Sequence, residues 1–484
     1  MLNKPEQFDR NLIVIGAGSA GLVSALIAAT VNAKVTLIEK HKMGGDCLNT
    51  GCVPSKALIK SAKVASLIKR SGEFGIHVSE SNVDFPAVMG RIQSIIKTIE
   101  PHDSVERFEN LGVECIEGEA KITSPWSVEI NQKTLTAKNI IIATGAGPFV
   151  PPIKGIEDIN YLTSDNLWQI REQPKRLLVL GGGPIGCELS QAFARLGSIV
   201  TQVEMAPRIM AREDEDVSKL ITEKFIQEGV DVKTNHKVKE FIKKDNKTIL
   251  VCENDGQDVE IEFDSLLVAV GRRANTSGFG LEELGIELNP QGTIKVNEYL
   301  QSSIPSIYAC GDVAGPYQFT HTASHQAWYA SVNSLFGRVK RFKADYSVIP
   351  WATFTDPEVA RVGLNEQEAK QQNISYETSF FKLDELDRAL TEDETEGFIK
   401  VLTIPGKDKI LGATIVGDHA GELITEYITA MKHKTGLNKI LGTIHIYPTL
   451  SEANKYAAGV WKKAHAPKLL LKLVKKYHKW SLSH

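Results

Sequence analysis

Two cysteines five positions apart are the residues of this chain best suited to redox chemistry. Cys47 and Cys52 lie in the stretch Gly44–Lys56, which reads GGDCLNTGCVPSK. On one ideal helix such residues are separated by about 7.5 Å of axial rise, whereas a disulfide needs Cα atoms within roughly 4.4–6.8 Å. A bridge would therefore need a distorted helical turn, which Gly51 and Pro54 favour. The spacing alone leaves two interpretations open: a redox-active pair, or two unrelated buried thiols.

The composition is that of an ordinary globular protein and excludes several functions. The chain has 484 residues, enough for about three domains, and 42% of them are hydrophobic. A formal net charge of -3 gives no general attraction to nucleic acid, so no nucleic-acid partner is predicted. Six cysteines are too few for a disulfide scaffold and fit a reducing compartment. The polar N-terminus and the absence of a long apolar run predict a cytoplasmic protein.

The segment before the cysteines has the pattern of a dinucleotide-binding unit. An apolar run over residues 11–15 predicts a buried parallel strand, and the turn GAGSAG follows it directly. In such a unit Gly16 makes the tight turn, Gly18 admits a pyrophosphate and Gly21 packs the helix on the strand. Glu39 ends the next predicted strand and can accept hydrogen bonds from both ribose hydroxyls.

The same unit recurs later in the chain at a constant offset. Gly181, Gly183 and Gly186 repeat the three glycines, and Glu204 repeats the terminal acid, each 165 residues further on. Two dinucleotide sites in one chain favour a two-cofactor electron-transfer enzyme over a simple dehydrogenase. The acid at Glu204 disfavours a ribose 2′-phosphate and favours NAD, although two arginines just beyond it could accept a phosphate instead.

In chain order, these motifs resemble those of the class I pyridine nucleotide–disulfide oxidoreductases, which include dihydrolipoamide dehydrogenase, glutathione reductase and mercuric reductase. The cysteine stretch looks most like the dihydrolipoamide and mercuric reductase branches. The resemblance implies an α/β fold with two Rossmann-like domains, for FAD and NAD(P), and an α+β C-terminal dimerisation domain, as in glutathione reductase. Besides the cysteine pair and the two glycine-rich turns, it rests on Ala143-Thr144-Gly145, Gly311-Asp312 and Phe354-Thr355-x-Pro357-Glu358.

The resemblance also implies a domain organisation. The FAD-binding domain would comprise residues 1–155 and 277–345, and the NAD(P)-binding domain residues 156–276. Residues 346–466 would form the dimerisation domain, so that a homodimer shares its active sites. Residues 467–484 would follow as a separate tail.

Roles for individual residues follow from the same resemblance. Cys52 would be the thiolate nearest the flavin, and Cys47 the interchange thiol that meets a small-molecule disulfide or other soft electrophile. Lys56 would lie beside the flavin and pair with Glu188, and Asp312 would bind the ribityl chain. FAD would be tightly bound, one per subunit, with NADH or NADPH as reductant and no metal ligands. The other residues implied in cofactor binding are Gly16, Gly18, Ser19, Gly21, Glu39, Lys40, Gly45, Asp46, Ala120, Thr144, Gly145, Gly181, Gly183, Ile185, Gly186, Glu204, Gly271 and Arg272.

The stretch 443–453 departs from the family pattern. Dihydrolipoamide dehydrogenases and glutathione reductases carry an acid–base histidine immediately before a proline, paired with a glutamate. Here Tyr447 precedes Pro448, and Glu452 is in the partner position. A tyrosine with a pKa of about 10 is a poor base at neutral pH, whereas a histidine near about 6.5 is well suited. His445 is therefore either a substitute base or a structural histidine, and it would point the same way as Tyr447 if the segment is extended.

A tyrosine before the proline resembles mercuric reductase, although this chain has no cysteine after Cys310 for the C-terminal vicinal pair of that enzyme. It also has no N-terminal Cys-x-x-Cys domain. The favoured interpretation is a mercuric reductase-like flavoprotein that reduces a disulfide or soft electrophile. Dihydrolipoamide dehydrogenase is the alternative within the family, and a low-turnover flavin redox sensor at a membrane is the alternative outside it. Asp387 and Arg388 are predicted to form a surface ion pair, with substrate contact as the alternative.

The tail, residues 467–484, has the pattern of a basic amphipathic helix. Five lysines alternate with leucine and aromatic residues at helical spacing, and no acidic residue follows Glu452. This pattern is compatible with peripheral contact with an anionic membrane surface. The alternative is a terminal helix packed on the dimer with a solvated basic face.

Overall fold

The computed structural model describes residues 4–483; residues 1–3 and His484, which belong to the predicted FAD-binding segment and tail, lie outside it. The chain divides into two compact units. One extends to Ile209 and resumes from Phe225 to Asp345, and the other comprises Met210–Lys224 and the chain from Tyr346 onward. Among the helices of residues 4–483, none is both long enough and apolar enough to cross a membrane.

The first two thirds of the chain combine strands and helices, as expected for an α/β protein. Up to Asp345 the elements are β1 (Arg10–Ile15), α1 (Ser19–Thr30), β2 (Val35–Glu39), α2 (Gly45–Asn49), α3 (Cys52–Lys69), α4 (Phe85–Ile99), α5 (Val105–Asn110), β3 (Val113–Glu117), β4 (Lys121–Ser124), β5 (Ser127–Ile130), β6 (Lys133–Ile142), β7 (Ala146–Pro148), β8 (Tyr161–Leu162), β9 (Arg176–Leu180), α6 (Pro184–Leu196), β10 (Ile199–Val203), α7 (Glu215–Gln227), β11 (Asp231–Lys233), β12 (Lys237–Lys244), β13 (Lys247–Asn254), β14 (Gln257–Phe263), β15 (Ser265–Val268), β16 (Arg272–Ala274), β17 (Ile307–Ala309) and α8 (Thr320–Phe336).

Shorter helices and an antiparallel sheet make up the last third. From Tyr346 onward the elements are β18 (Pro350–Thr353), β19 (Glu358–Gly363), α9 (Glu366–Gln371), β20 (Glu377–Lys382), α10 (Asp387–Glu392), β21 (Phe398–Thr403), β22 (Ile410–Gly417), α11 (Ala420–Leu423), α12 (Thr425–Lys432), α13 (Leu437–Leu441), α14 (Glu452–Ala464) and α15 (Lys468–Ser481).

The two parallel sheets of the first unit pair their strands in equivalent registers. In the first, the order β3-β2-β1-β6-β17 is parallel, and β5 and β4 continue antiparallel from β6. In the second, the order is β11-β10-β9-β15-β8. Leu12 lies opposite Val35 in the first sheet, and Leu177 lies opposite Val200 in the second, which preserves the 165-residue offset. The repeat predicted from the glycines therefore extends to the strand pairing.

Two smaller antiparallel sheets complete the first unit. Strands β12, β13 and β14 form a three-stranded meander, and β16 pairs with β7. The pairing of β16 with β7 brings Arg272 opposite Pro148, next to the turn that follows β6. Arg272 therefore lies near the end of the first parallel sheet.

The second unit is built on one antiparallel sheet of order β18-β19-β22-β21-β20. Its core contains apolar residues of the sheet and of the helices that cover it, such as Ile399, Tyr427 and Trp461. Two basic side chains are also buried here: Lys400 is 2% exposed and Arg361 is 1% exposed. Such charges persist in an interior only when they are paired.

The acidic partners of these two cations explain why residues 210–224 belong to the second unit. The Nζ of Lys400 lies 2.8 Å from Asp214 and 2.7 Å from Asp216, and Arg361 Nε lies 3.3 Å from Glu213. These acids fall inside the segment predicted to bind the nicotinamide. The domain boundaries proposed from the resemblance stay predictions.

Candidate redox and cofactor site

The two cysteines lie on different helices rather than on one. Cys47 is in α2, which ends before Thr50, and Cys52 is the first residue of α3. The Asp46 carbonyl oxygen accepts hydrogen bonds from the N–H groups of Thr50 and Gly51, at 2.9 and 2.6 Å. The spacing predicted a distorted helical turn, and the structure has a complete break between two helices. The thiols are therefore not held apart by the axial rise of a single helix.

The two thiols experience opposite electrostatic influences. Both are free, and they are hydrogen bonded to each other. The hydrogen bond with Cys47, a contact of 3.6 Å with Thr320 Oγ1 and the charge of Lys56 together lower the pKa of Cys52 against the effect of burial. The same thiol–thiol hydrogen bond, with burial, raises the pKa of Cys47. When the pair is reduced, its first negative charge therefore resides on Cys52, at the N-terminus of a long helix that also favours a thiolate.

The ion pair expected between Lys56 and Glu188 is present. Lys56 lies one helical turn after Cys52, and its Nζ is 2.9 Å from Glu188 Oε2 on α6. The Glu188 side chain is buried, so the pair holds α3 and α6 together. Glu188 also opposes the effect of the lysine on the pKa of Cys52.

Both glycine-rich turns exclude a side chain at their first glycine. Gly16 and Gly181 have φ angles of +100° and +109°. A Cβ on either would lie 2.4 Å from a backbone oxygen, that of Ala143 or of Ala269 respectively. Only glycine adopts this conformation without strain and tolerates so close an approach.

The acids at the ends of β2 and β10 also support these turns. Glu39 accepts hydrogen bonds from the N–H groups of Ala17 and His41, at 2.6 and 2.8 Å. Glu204 accepts the equivalent pair, from Gly182 at 2.6 Å and from the residue two positions after itself at 2.7 Å. A carboxylate can accept about four hydrogen bonds, so each retains capacity for ribose hydroxyls.

A cavity of about 1150 Å³ lies within the first unit and collects most of the residues predicted to bind flavin. Six predicted cofactor residues are not in its lining: Gly21, Gly181, Gly183, Gly186, Glu204 and Gly271, three of which form the second glycine-rich turn. The predicted residues that line it are Gly16, Gly18, Ser19, Glu39, Lys40, Gly45, Asp46, Cys47, Cys52, Lys56, Ala120, Thr144, Gly145, Ile185, Glu188, Arg272 and Asp312.

Asp312 lines this cavity. Helix α8 begins at Thr320 with Phe319 at its N-cap, so Asp312 does not cap that helix. Burial raises the pKa of Asp312 to about 6 although Arg272 opposes this shift, with its Nε 3.6 Å from Asp312 Oδ2. Arg272 also contacts Asp46, which ties β16 to the helix that carries Cys47.

The cavity fits a bound flavin dinucleotide in size and in chemistry. Its volume exceeds the roughly 300–1,000 Å³ of most small-molecule pockets. A Cβ on Gly18 would meet only Gly45 within 4 Å, so the backbone at the start of α1 is open to a phosphate. Glu39, Lys56 and Asp312 supply polar groups along the same lining.

Thr320 is a residue of this site that the sequence did not indicate. Its hydroxyl contacts the Cys52 sulfur, although the two residues are 268 positions apart. No motif carries Thr320, and a lone threonine at the start of a helix has many ordinary roles. Only the fold of the first unit brings it to the thiol.

His445 of the second unit is enclosed by hydrogen-bond acceptors. Its side chain is 6% exposed, and Nε2 lies 3.1 Å from both carboxylate oxygens of Glu426. Its Nδ1 lies 3.1 Å from the carbonyl oxygen of Thr443. Both ring nitrogens therefore lie within hydrogen-bond distance of protein oxygen atoms. Glu452, in the family's partner position for the residue before the proline, accepts the N–H of Thr449 at 3.3 Å.

Tyr447 points away from His445 and is 65% exposed. Residues 442–448 form no strand, so the alternation that would align the two side chains in an extended segment does not apply. The Tyr447 hydroxyl donates to Asp387 Oδ2 at 3.0 Å, and this hydrogen bond raises the pKa of the phenol. Arg388 pairs with Glu392 rather than with Asp387.

Comparison with known proteins agrees with this arrangement. The family described as pyridine nucleotide-disulphide oxidoreductase matches residues 10–327, and its dimerisation domain matches residues 349–458. The chain belongs to this family. It is therefore a flavoprotein disulfide reductase that contains FAD and takes NAD(P)H as reductant, and the predicted fold class is confirmed. The dimerisation domain supports a homodimer.

Similar proteins of two activities were found. A mercuric reductase of Bacillus cereus is 34% identical over 456 residues, which cover 94% of this chain and 72% of that protein. A dihydrolipoyl dehydrogenase of Chlamydia pneumoniae is 37% identical over 452 residues, which cover 92% and 95% of the two chains. Among solved structures, the HOCl-induced flavoprotein disulfide reductase RclA from Escherichia coli superimposes with a TM-score of 0.82 at 26% identity, covering 93% and 99%.

Proposed function

We propose that this enzyme uses NADH to reduce a disulfide or a thiophilic metal ion through FAD and the Cys47–Cys52 pair. The observation that carries the proposal is the division of roles between the thiols. Cys52 is stabilised as a thiolate by Cys47, Thr320 and Lys56, whereas Cys47 keeps its proton. Bound FAD supplies two-electron transfer between the nicotinamide and this pair.

With a disulfide acceptor, the chemistry of the two thiols balances without a further reductant. Proton transfer along the hydrogen bond from Cys47 to Cys52 gives the Cys47 thiolate, which attacks one sulfur of the acceptor, forms a mixed disulfide and expels the first product as a thiolate. That thiolate takes the proton from Cys52 and leaves as a thiol. The Cys52 thiolate then attacks the Cys47 sulfur and expels the second product as a thiolate. Two electrons leave the cysteines, and the Cys47–Cys52 disulfide forms.

The residues around Pro448 favour an acceptor that needs little proton transfer. The pKa of Tyr447 is raised, which keeps its phenol protonated at neutral pH, so Tyr447 can donate a proton but not accept one. Both ring nitrogens of His445 already have hydrogen-bond partners, Glu426 and Thr443. Oxidation of dihydrolipoamide needs a base, whereas a soft metal ion bound by thiolates needs none. Thiophilic metal ions are candidate acceptors, and support for this comes from the relatives named mercuric reductases and from RclA, which was solved as a Cu(II) complex.

Steady-state NADH oxidation with glutathione disulfide, lipoamide, Hg(II) and Cu(II) tests the acceptor. We expect turnover with a metal ion or disulfide that is lost in Cys47→Ser. Dihydrolipoamide oxidation with NAD should be at least about 100-fold slower than the best of these, the usual contribution of a positioned base. If NADH reduces the bound FAD but no acceptor supports turnover, the reductase is excluded and the redox sensor is favoured.

We also propose that Glu204 makes NADH the preferred reductant. Glu204→Gln keeps the size of the side chain but removes its charge, so the KM for NADH should rise by about tenfold, as for a lost charged hydrogen bond. The KM for NADPH should stay the same or fall, because repulsion of the 2′-phosphate is removed. Comparing kcat/KM for the two nucleotides measures both effects. Glu260→Gln, on the exposed side of β14, removes the same charge as a control. Equal kcat/KM values for NADH and NADPH in the wild type would contradict the assignment.

A further inference from the structure

The C-terminal helix α15 presents an apolar face that residues 4–483 leave uncovered. None of its side chains from Lys468 to Ser481 is buried. Leu469 is 79% exposed, and Leu470, Leu473 and Tyr477 are each more than half exposed. Apolar side chains in such number on one short helix indicate an interaction surface rather than ordinary scattered exposure.

Apolar and basic residues occupy separate sectors of this helix. At about 100° per residue, the apolar residues fall in an arc of roughly 200° and the lysines in another of roughly 100°, without overlap. The apolar arc contains Leu469, Leu470, Leu471, Leu473, Val474, Tyr477 and Trp480, and the basic arc contains Lys468, Lys472, Lys475, Lys476 and Lys479.

The charge of the helix selects between possible partners. No acidic residue follows Glu452, and Lys462 and Lys463 in the last turn of α14 add to the positive charge. Pairing with α15 of a second copy would bring two rows of lysines together without acids to balance them, whereas helical pairs normally use opposite charges. The complementary surface is therefore anionic and apolar at once, which describes a bilayer with acidic headgroups.

We propose that α15 docks this enzyme in the plane of an anionic membrane surface. Its 14 residues extend about 21 Å, short of the roughly 30 Å hydrocarbon core, so the helix lies along the surface. The leucines enter the acyl region, and the rings of Tyr477 and Trp480, 6.1 Å apart, lie at headgroup level where such residues are enriched. The lysines reach the headgroup phosphates. This inference does not depend on the identity of the electron acceptor.

Vesicle sedimentation with the FAD-loaded full chain tests the docking. Vesicles of phosphatidylcholine alone are compared with vesicles in which one quarter of the lipid is phosphatidylglycerol. Three variants are needed: a deletion of residues 467–484, the charge variant Lys472→Gln/Lys475→Gln/Lys476→Gln, and the apolar variant Leu470→Ser/Leu473→Ser/Tyr477→Ser. Lys133→Gln/Lys243→Gln/Lys244→Gln, at exposed sites of the first unit, removes the same charge as a control.

We expect the wild type and the control to pellet only with the anionic vesicles, and less so when ionic strength rises from about 0.05 to about 0.5 M. Each lysine lost should lower the partition coefficient by roughly fivefold, so the charge variant, which lacks three lysines, should lose roughly a hundredfold. The apolar variant and the deletion should lose binding as well, with flavin content unchanged in all. Equal pelleting of the charge variant and the control would overturn the proposal. A second result would also overturn it: a wild type that does not bind vesicles but assembles beyond a dimer, with this assembly abolished in the apolar variant. The apolar face would then bind a second copy of the chain.

Discussion

Cys52→Ser is expected to lower NADH-dependent turnover with any acceptor by at least about a thousandfold, as for loss of a reacting nucleophile. A serine hydroxyl cannot carry the charge that the Cys52 thiolate holds beside Thr320 and Lys56. The variant should keep its FAD, because the cavity lining is otherwise intact. It should also lack the long-wavelength thiolate-to-flavin absorbance band that the wild type shows after two-electron reduction. In the wild type this band should persist below pH 8.5, the ordinary pKa of a thiol, because the pKa of Cys52 is lowered.

Cys115→Ser provides the matched control for this prediction. Cys115 is a partly buried thiol on β3 outside the cavity lining, and burial raises its pKa. Its replacement should change neither turnover nor the absorbance band. A wild-type enzyme without the band, or a Cys52→Ser variant that retains turnover, would show that the cysteine pair is not the electron relay.

Lys400→Met should lower the free energy of unfolding of the second unit by about 3–5 kcal/mol, the usual cost of removing one partner from a buried ion pair. Lys400 Nζ lies 2.8 Å from Asp214, 2.7 Å from Asp216 and 3.2 Å from Glu366. Burial opposes the charge of Lys400, but its hydrogen bonds to the aspartates outweigh burial and raise its pKa. Methionine has a similar volume, so the measured loss reports the uncompensated carboxylates rather than a cavity.

Lowering the pH should reduce the difference in the free energy of unfolding between the wild type and Lys400→Met. Burial alone would raise the pKa of Asp214, but Lys400 and two backbone N–H groups outweigh burial and lower it. The stabilisation is therefore complete above the unfolded pKa of about 3.9 and is lost as the pH falls through the lower folded value. Urea unfolding at neutral and acidic pH measures both effects. Lys382→Met, an exposed lysine on β20, is the control and should change stability by less than about 0.5 kcal/mol. Equal losses in the two variants would contradict the role assigned to Lys400.

Local sequence was sufficient for features that depend on the backbone of a few neighbouring residues. The two glycine-rich turns were predicted because a positive φ next to a strand end requires glycine, as Gly16 and Gly181 show. Their constant offset then predicted two related sheets. The pairing of Leu12 with Val35 in one sheet and of Leu177 with Val200 in the other follows this offset. The helical periodicity of the tail likewise predicted α15. The cysteine motif identified the redox pair only jointly with the other motifs, through the family resemblance.

The sequence by itself thus determined the family, the nucleotide-binding turns and the chemistry available at Cys47 and Cys52. Only the tertiary structure decided which distant groups act on that chemistry. Thr320 contacts Cys52 across 268 positions, and His445 pairs with Glu426, which no motif indicated. The physical reason is that turn conformation and helical periodicity are set by neighbours in the chain, whereas hydrogen bonds and ion pairs between distant residues exist only after burial has brought their elements together.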